Sequence, residues 1–225
     1  EMYNRIALKR DKFIKHVGRN ILIKGVGGNQ LFLKLIHSLL IKSELTLEIG
    51  TGTGVIPFWT KPLKRKMICI DFSPNMIKIA KKNCRNSPNI KFLVANLNNL
   101  PFKDEQFALV IKRLSPDNIS EIYWVLKPKK DFINFTNGEK DGKEIKEMFR
   151  APFHKSVAEY KKELINHNFL IKIEKKFLFK EIYNNPDDLI TMLEIGILKH
   201  DFFEKEDCYK DKLRLYFEKN KKFIL

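Results

Sequence analysis

Three closely spaced glycines after a short apolar run constrain this chain more than any other feature. Gly50, Gly52 and Gly54 form the pattern G-x-G-x-G and follow residues 45–49, which have the character of a buried strand. A backbone without side chains turns tightly and lets a ligand approach closely. In open α/β sheets, nucleotide-like cofactors lie across the carboxyl ends of strands. The stretch therefore predicts a cofactor site directly after a strand.

The length of 225 residues is enough for one domain with a sizeable core and a small appendage. The longest apolar run, residues 31–41, is interrupted by Lys34 and His37. It is shorter than the roughly 20 residues needed to span a bilayer and is typical of an amphipathic helix. The N-terminus lacks a signal-peptide pattern. These features favour a soluble protein, a cytoplasmic location and no membrane partner.

The three cysteines predict no metal site. Cys69 lies in an apolar strand, Cys84 lies on the apolar face of a helix, and Cys208 is far from both in sequence. Their spacing fits no zinc pattern. Core thiols are the favoured interpretation of the first two, and a nucleophilic cysteine is the alternative.

The net charge of +16 has two interpretations. A strongly basic chain favours nucleic acid or another acidic surface as a partner. However, the chain has 35 lysines and only 8 arginines, together with 26 isoleucines against 7 valines and 18 asparagines. This pattern is also typical of a composition bias, since phosphate-binding proteins often use the planar fork of arginine. Both interpretations remain open at this point.

Strand-like and helix-like segments alternate along the middle of the chain, which predicts parallel βαβ units. Helices are expected at 30–42, 55–66 (ended early by Pro62), 74–84, 119–126, 143–150, 156–168, 187–196 and 209–219. Strands are expected at 45–49, 67–70, 90–95, 107–111, 132–135, 169–174 and 177–183. The last two have almost no linker, so one of them should run antiparallel to the other strands. Residues 1–30 are expected to form one helix and a loop.

Asp71 ends the second predicted strand, where a carboxylate can accept hydrogen bonds from both hydroxyl groups of a ribose. A plain aspartate at the entry of a helix is the alternative, but Ser73 already serves as the cap, with Pro74 next. The third glycine of the dinucleotide fingerprint is missing, because Val55 stands there. The constellation thus differs from a dinucleotide site.

Four blocks of the sequence together resemble the class I S-adenosylmethionine-dependent methyltransferases, in particular the group called methyltransferase type 11. Residues 47–54 resemble the first motif of that family, and residues 69–76 resemble the segment that follows it. Residues 96–107 and 121–128 are similar to its third and fourth blocks. The blocks occur in the family's order over residues 45–135. The resemblance implies a doubly wound, mostly parallel seven-stranded α/β sheet with an N-terminal helical cap.

The resemblance also implies roles for individual residues. Glu48 would help to hold the methionine amino group of S-adenosylmethionine, and Asp71 would bind the ribose. Phe72 or Met76 would pack on the adenine, and Asn96 takes the place of the usual aspartate for the adenine amino group. The implied cofactor-binding set is Glu48, Gly50, Thr51, Gly52, Thr53, Gly54, Asp71, Phe72, Met76, Asn96 and Leu97.

Some positions depart from the family pattern. Ala108 replaces an aspartate in the fourth strand, and Lys129 with Lys130 replaces a Gly-Gly turn. The stretch 112–118 is shorter than most relatives have. These departures leave open a protein that binds the cofactor without catalysing transfer.

No general base is assigned from the sequence. The acceptor should approach over the carboxyl ends of the strands, where the catalytic candidates are Lys112, Arg113 and His154, followed by Tyr160 and segment 16–29. Solvated loop charges are the alternative for the first two, and a surface loop residue for His154. The oligomeric state is not predicted.

The expected function is methyl transfer from S-adenosylmethionine to a small molecule by in-line displacement. An RNA methyltransferase that uses the lysine-rich surface is the alternative, and a non-catalytic S-adenosylmethionine-binding protein is the second. The expected organisation is a helical cap at 1–42 and a methyltransferase domain at 43–225, in which residues 138–168 resemble a lid.

Overall fold

The computed structural model describes residues 22–25, 28–151, 154–195, 206–220 and 222–224. The strands are β1 (Leu22–Gly25), β2 (Thr46–Ile49), β3 (Met67–Asp71), β4 (Ile90–Val94), β5 (Phe107–Arg113), β6 (Leu126–Phe135), β7 (Phe179–Tyr183) and β8 (Phe223–Ile224). The α-helices are α1 (Gly28–Lys42), α2 (Val55–Thr60), α3 (Pro74–Asn83), α4 (Ile119–Val125), α5 (Lys143–Phe149), α6 (Val157–Asn166), α7 (Pro186–Ile195) and α8 (Glu206–Asn220). Residues 1–30 are predicted to form one helix and a loop, and most of that stretch (1–21, 26 and 27) lies outside the described residues.

Five strands form a parallel sheet in the order β4-β3-β2-β5-β6. Along the chain, β3 and β4 follow β2 on one side of it, and β5 and β6 then lie on its other side. The strand order therefore reverses between β2 and β5, which is where ligands bind in open α/β sheets. The predicted doubly wound α/β fold is confirmed.

Apolar side chains cover both faces of the parallel sheet, which explains its near-continuous apolar strands. On one face, α1, α2 and α3 pack against alternate residues such as Cys69 and Leu109. On the other face, α4 packs against the residues between them, such as Ile70 and Val110. Cys69 and Cys84 are buried, and burial raises the pKa of the Cys84 thiol to about 11. They are therefore core thiols, as expected.

Local signals set the helix boundaries in this part of the chain. The Ser73 hydroxyl accepts a 3.3 Å hydrogen bond from the Met76 amide at the start of α3, so it acts as the predicted N-cap. Helix α2 ends at Thr60, and a 3-10 turn containing Pro62 follows. This early end agrees with the expected effect of the proline.

The chain divides into two compact units. The first contains described residues 28–136 and 158–174, and the second contains described residues 22–25, 137–151, 154–157, 175–195, 206–220 and 222–224. The second unit has an antiparallel sheet in the order β1-β7-β8. Its core is formed by Ile145, Ala151, Tyr183, Leu189, Ile190, Leu193, Tyr209, Leu213 and Phe217.

Two predictions about strands are wrong, and one strand was not predicted. The parallel sheet has five strands among the described residues, and the antiparallel strands belong to the separate second unit. Residues 169–178 form no regular structure, although they were expected to begin a hairpin. Leu170 and Leu178 are exposed, so the apolar run does not bury itself as a strand requires. Strand β1 was not predicted, because its partner β7 is more than 150 residues away in sequence.

Strand β6 begins earlier than predicted. Helix α4 ends at Val125, and the strand starts at the next residue. Lys129 has a φ of 61°, which is the left-handed conformation that favours glycine. The ladder between β5 and β6 shifts register between Phe107 and Leu109. The lysine therefore adopts the local bend that a glycine makes more readily.

Candidate functional site

The carboxyl ends of β2, β3 and β5 lie side by side. Ile49 pairs with Ile70 on one side and with Lys112 on the other. The next residues are the glycine loop (Gly50–Gly54), Asp71 and Arg113. The sheet thus brings together the residues that the sequence predicts for the cofactor site.

The glycine loop depends on glycine at its first position. Gly50, Gly52 and Gly54 have φ angles of 70°, 54° and 82°, all in the left-handed region. A Cβ on Gly50 would lie 2.4 Å from the Cβ of Ser115. The Ser115 hydroxyl donates a 3.2 Å hydrogen bond to the Ile49 carbonyl, which keeps the two segments close. Only glycine fits both the conformation and the space.

The far end of the loop packs against helix α3. A Cβ on Gly54 would lie 3.1 Å from Ala80, and the Asn83 side-chain amide donates a 2.9 Å hydrogen bond to the Thr53 carbonyl. Thr53 is itself buried. The backbone of this part of the loop is therefore fixed by the protein itself.

Asp71 connects the loop to the start of α3. Its Oδ2 accepts a 2.8 Å hydrogen bond from the Gly52 amide, and its Oδ1 accepts a 2.9 Å bond from the Ser73 amide. Each carboxylate oxygen has a further lone pair, and the side chain is only partly buried. Asp71 can thus organise the loop and still accept hydroxyl groups from a ligand.

The two adenine candidates differ in accessibility. Phe72 is 64% exposed and directly follows Asp71, whereas Met76 is 3% exposed and packs in the interior. An exposed aromatic ring offers a face on which a base can stack. The structure therefore favours Phe72 over Met76 as the residue available to a planar ligand.

Glu48 lies beneath the glycine loop. It is 2% exposed, and its Oε2 accepts a 2.7 Å hydrogen bond from the Thr51 hydroxyl. Burial raises the pKa of the Glu48 carboxyl to about 7, although the Thr51 and Cys69 side chains and the charge of Arg113 act in the opposite direction. Its carboxyl therefore titrates near neutral pH.

Asn96 and Leu97 follow β4. The Asn96 side-chain oxygen accepts a 3.0 Å hydrogen bond from the Asn98 amide, which closes a local turn. Leu97 packs partly into the core. Asn96 is exposed and its amide can still donate, while its oxygen already has one partner.

Lys112 is an internal residue rather than a solvated loop charge. It is fully buried, its Nζ donates a 2.6 Å hydrogen bond to the Ser115 carbonyl, and Asp117 Oδ1 lies 2.8 Å from that nitrogen. Burial lowers the pKa of its ammonium, and the charge of Asp117 opposes that shift. Arg113 is partly buried, and its charge lowers the pKa of Glu48.

A polar network continues from Lys112 across the carboxyl ends of β5 and β6. The Tyr160 hydroxyl donates a 3.2 Å hydrogen bond to Asp117 Oδ1 and accepts a 2.8 Å bond from the Asn134 side-chain amide. Burial, reinforced by Asp117, raises the pKa of Tyr160. The Asn134 Oδ1 is buried and has no hydrogen-bond partner among the described residues. Buried polar atoms without a partner are rare in folded proteins, so this oxygen calls for a specific explanation.

Sequence reasoning named two members of this network and missed two. Lys112 and Tyr160 were candidates, whereas Asp117 and Asn134 were not. The available signal was a polar residue at the end of an apolar strand, which applies to Asn134.

His154 belongs to the second unit, where its Nε2 lies 3.4 Å from Asp141.

Comparisons with known proteins agree with this geometry. Residues 46–129 match the family described as the methyltransferase domain. This stretch covers β2 to the start of β6, including the glycine loop and Asp71. This part of the chain is therefore similar to a methyltransferase domain.

The proteins to which this chain is similar include a demethylmenaquinone methyltransferase from Chlamydia caviae. It is 30% identical over 138 residues, which cover 57% of this chain and 56% of the relative. A demethylmenaquinone methyltransferase from Leptospira interrogans is 29% identical over 157 residues, covering 62% of this chain and 60% of that protein. The chain therefore spans about three fifths of the length of these relatives.

Solved methyltransferase structures share the fold. A protein from Bacillus halodurans described as a possible methyltransferase superposes with a TM-score of 0.59 at 21% identity, covering 86% of this chain and 89% of that chain. At this identity the similarity concerns the fold alone.

None of the helices within the described residues is long and apolar enough to cross a membrane.

Proposed function

We propose that this chain binds S-adenosylmethionine at the carboxyl edge of the parallel sheet and transfers its methyl group to a small molecule. The main observation in support is the hydrogen bond from the Gly52 amide of the glycine loop to the Asp71 carboxylate. This bond lies at the point where the strand order of the sheet reverses. There the carboxylate retains free lone pairs beside the exposed ring of Phe72. These residues all lie within the stretch that matches a methyltransferase domain.

The residues present fit this cofactor. Asp71 would accept the ribose hydroxyls, and Phe72 would stack on the adenine, with Asn96 at the ring edge. The backbone of the glycine loop would border the ribose and the methionine portion. Glu48 would act from beneath the loop, where its charge depends on pH around neutrality.

The cofactor, when bound, supplies a methyl group on a positively charged sulfur that is already activated for transfer. The chain then has to bind the acceptor, orient it and exclude water. The network at the ends of β5 and β6 is suited to orientation. Asn134 Oδ1 is free to accept a hydrogen bond from a polar group of the acceptor, and the Tyr160 hydroxyl lies beside it.

A small-molecule acceptor is supported by the relatives. Those from Chlamydia caviae and Leptospira interrogans are named for demethylmenaquinone. A solved neighbour from Streptomyces coelicolor is described as a geranyl diphosphate C-methyltransferase in complex with S-adenosyl-L-homocysteine, at 15% identity. We extend to this chain only the class of acceptor. That class is small molecules, and a demethylated quinone is one example of it.

Two measurements test the proposal. Titration calorimetry with S-adenosylmethionine is expected to show one site, which Asp71→Ala weakens. Transfer of a labelled methyl group is then assayed with a demethylated quinone, a mixture of small metabolites and total RNA. Labelled small molecules support the proposal. Labelled RNA would favour the RNA methyltransferase, and binding without any transfer would favour the non-catalytic protein.

A further inference from the structure

A basic groove runs along the edge of the parallel sheet at which β3 and β4 begin. Its volume is about 930 Å³, and thirteen residues line it. None of the thirteen is acidic, whereas five are basic: Lys61, Lys64, Arg65, Lys82 and Arg85. We call this feature the amino-edge groove.

The net charge of the chain is concentrated around this groove because acidic residues are nearly absent there. Residues 52–103 contain ten basic residues and one acidic residue, Asp71, for a net charge of +9. The rest of the chain contains 33 basic and 26 acidic residues, for a net charge of +7. More than half of the net charge is therefore concentrated in 52 residues. Asp71 ends β3, so it lies at the opposite edge of the sheet from the groove.

Aromatic rings lie beside the cations. Phe58 lines the groove and packs under the Lys61 ammonium, which is 4.4 Å from the ring centre. The next residue, Trp59, is 63% exposed, and its ring meets that of Phe58 edge to face. Exposed aromatic rings next to lysine and arginine are the elements with which proteins bind single-stranded nucleic acid.

Polar groups for hydrogen bonding complete the lining. Asn83, Asn86 and Asn89 all line the groove. The Ser87 hydroxyl is buried there and has no hydrogen-bond partner among the described residues. Hydroxyl and amide side chains are common donors to phosphate and sugar oxygens.

The shape of the amino-edge groove favours one kind of polyanion over the others. A groove of this volume is much larger than a single phosphate, and its concave form suits a strand rather than a flat lipid surface. Lys64 and Arg65 precede β3, whereas Lys82 and Arg85 lie at the end of α3, before β4. The cations therefore come from two segments of chain that a strand can contact together.

We infer that the amino-edge groove binds single-stranded nucleic acid through its phosphates, with Phe58 and Trp59 stacking on bases. The groove is at the edge of the sheet opposite to the glycine loop, so this binding tethers the protein and does not present the acceptor for methyl transfer. The inference is independent of the proposed function.

Charge reversal tests the phosphate contacts. Binding of a labelled 12-nucleotide RNA, and of DNA with the same sequence, is measured by fluorescence anisotropy at several salt concentrations. The double variant Lys64→Glu/Lys82→Glu is expected to lower affinity at least tenfold. It should also reduce the slope of log affinity against log salt by about 1.4, because each phosphate contact of a single strand contributes about 0.7.

The matched control carries the same charge change elsewhere. Lys175→Glu/Lys176→Glu alters two exposed lysines outside the groove and is expected to change affinity by less than threefold. Equal losses in the two double variants would overturn the inference, since they would indicate diffuse attraction. Stronger binding to vesicles of anionic phospholipid than to either oligonucleotide would also overturn it.

Stacking gives an independent readout. The chain has two tryptophans, so Trp124→Phe leaves Trp59 as the single tryptophan. Its fluorescence is expected to be quenched by the oligonucleotide and not by heparin, which has charge without bases. Phe58→Ala should weaken oligonucleotide binding and leave heparin binding unchanged. Absence of quenching at saturating oligonucleotide would remove the aromatic part of the inference and place the strand elsewhere.

Discussion

The Gly52 amide donates a 2.8 Å hydrogen bond to Oδ2 of Asp71, nineteen residues later in the chain. This bond joins the loop after β2 to the end of β3. The other oxygen of the same carboxylate accepts from the Ser73 amide, at the cap of α3. One carboxylate thus fixes the shape of the glycine loop and the start of the next helix before any ligand arrives. In the proposed site, loop order and ribose binding depend on the same side chain.

Asp71→Ala is expected to weaken S-adenosylmethionine binding by about 1.5–3 kcal/mol, roughly 10- to 150-fold in the dissociation constant. The variant removes the acceptor for the ribose and also leaves the Gly52 amide without its partner. Titration calorimetry measures the change. Asp104→Ala, at an exposed turn, is the control and should bind as the wild type does. Unchanged affinity in the Asp71 variant would exclude this carboxylate from the cofactor site.

Gly50→Ala is expected to destabilise the fold by about 2–4 kcal/mol. Left-handed backbone costs an alanine about 1–2 kcal/mol, and the overlap with Ser115 adds a packing cost of similar size. Urea unfolding measures the effect. Gly138→Ala is the matched control, since a Cβ there meets nothing within 4 Å, and it should cost less than 1 kcal/mol.

A double variant separates the two causes of the Gly50 effect. Gly50→Ala/Ser115→Gly removes the overlapping Cβ and retains the backbone strain. Part of the lost stability should therefore return relative to the sum of the single variants. Strict additivity would show that the segment after β5 moves away at no cost, contrary to the close packing described above.

Local signals made the cofactor half of the site predictable. The glycine spacing, the aspartate after the next strand and the Ser73 cap each act within a few residues, and the parallel sheet then brings them together. The burial of individual side chains was harder to predict from the sequence. Glu48 and Met76 follow family positions, yet both are covered by neighbours that come from several elements.

The acceptor half was less predictable because it depends on contacts between distant segments. The buried Lys112 ammonium has its partners in Asp117 and the Ser115 carbonyl, which lie in the loop after the strand. Tyr160 joins this group from a helix more than 40 residues away. The run at 169–174 had strand-like composition, but composition does not provide a partner strand.

Asp117→Ala is expected to destabilise the fold by about 3 kcal/mol. It leaves the Lys112 ammonium buried with only the Ser115 carbonyl as a partner, and a buried charge without its counter-ion is costly. Lys112→Met removes that charge and should cost less. The exposed pair Lys127–Glu44 provides the control, since Glu44→Ala should cost under about 1 kcal/mol. Equal costs for the Asp117 and Glu44 variants would show that Lys112 is solvated.

Glu48→Gln is expected to change how stability depends on pH. The pKa of Glu48 is raised from 4.5 to about 7 in the folded state, mainly by burial. The folded state therefore prefers the protonated side chain, and this contribution is complete below pH 4.5. It is lost as pH rises through 7, because the folded state must then bury an ionised carboxylate.

The shift in the pKa of Glu48 also sets the size of this change in stability. Urea unfolding between pH 4.5 and 8 should show wild-type stability falling relative to Glu48→Gln by about 3 kcal/mol, at 1.36 kcal/mol per pKa unit. Glu139→Gln, at an exposed loop, should follow the wild type throughout. A constant difference between wild type and the Glu48 variant would mean that the carboxyl beneath the glycine loop is already ionised at low pH. In that case its charge would be available to the ammonium group of the cofactor without any dependence on pH in the neutral range.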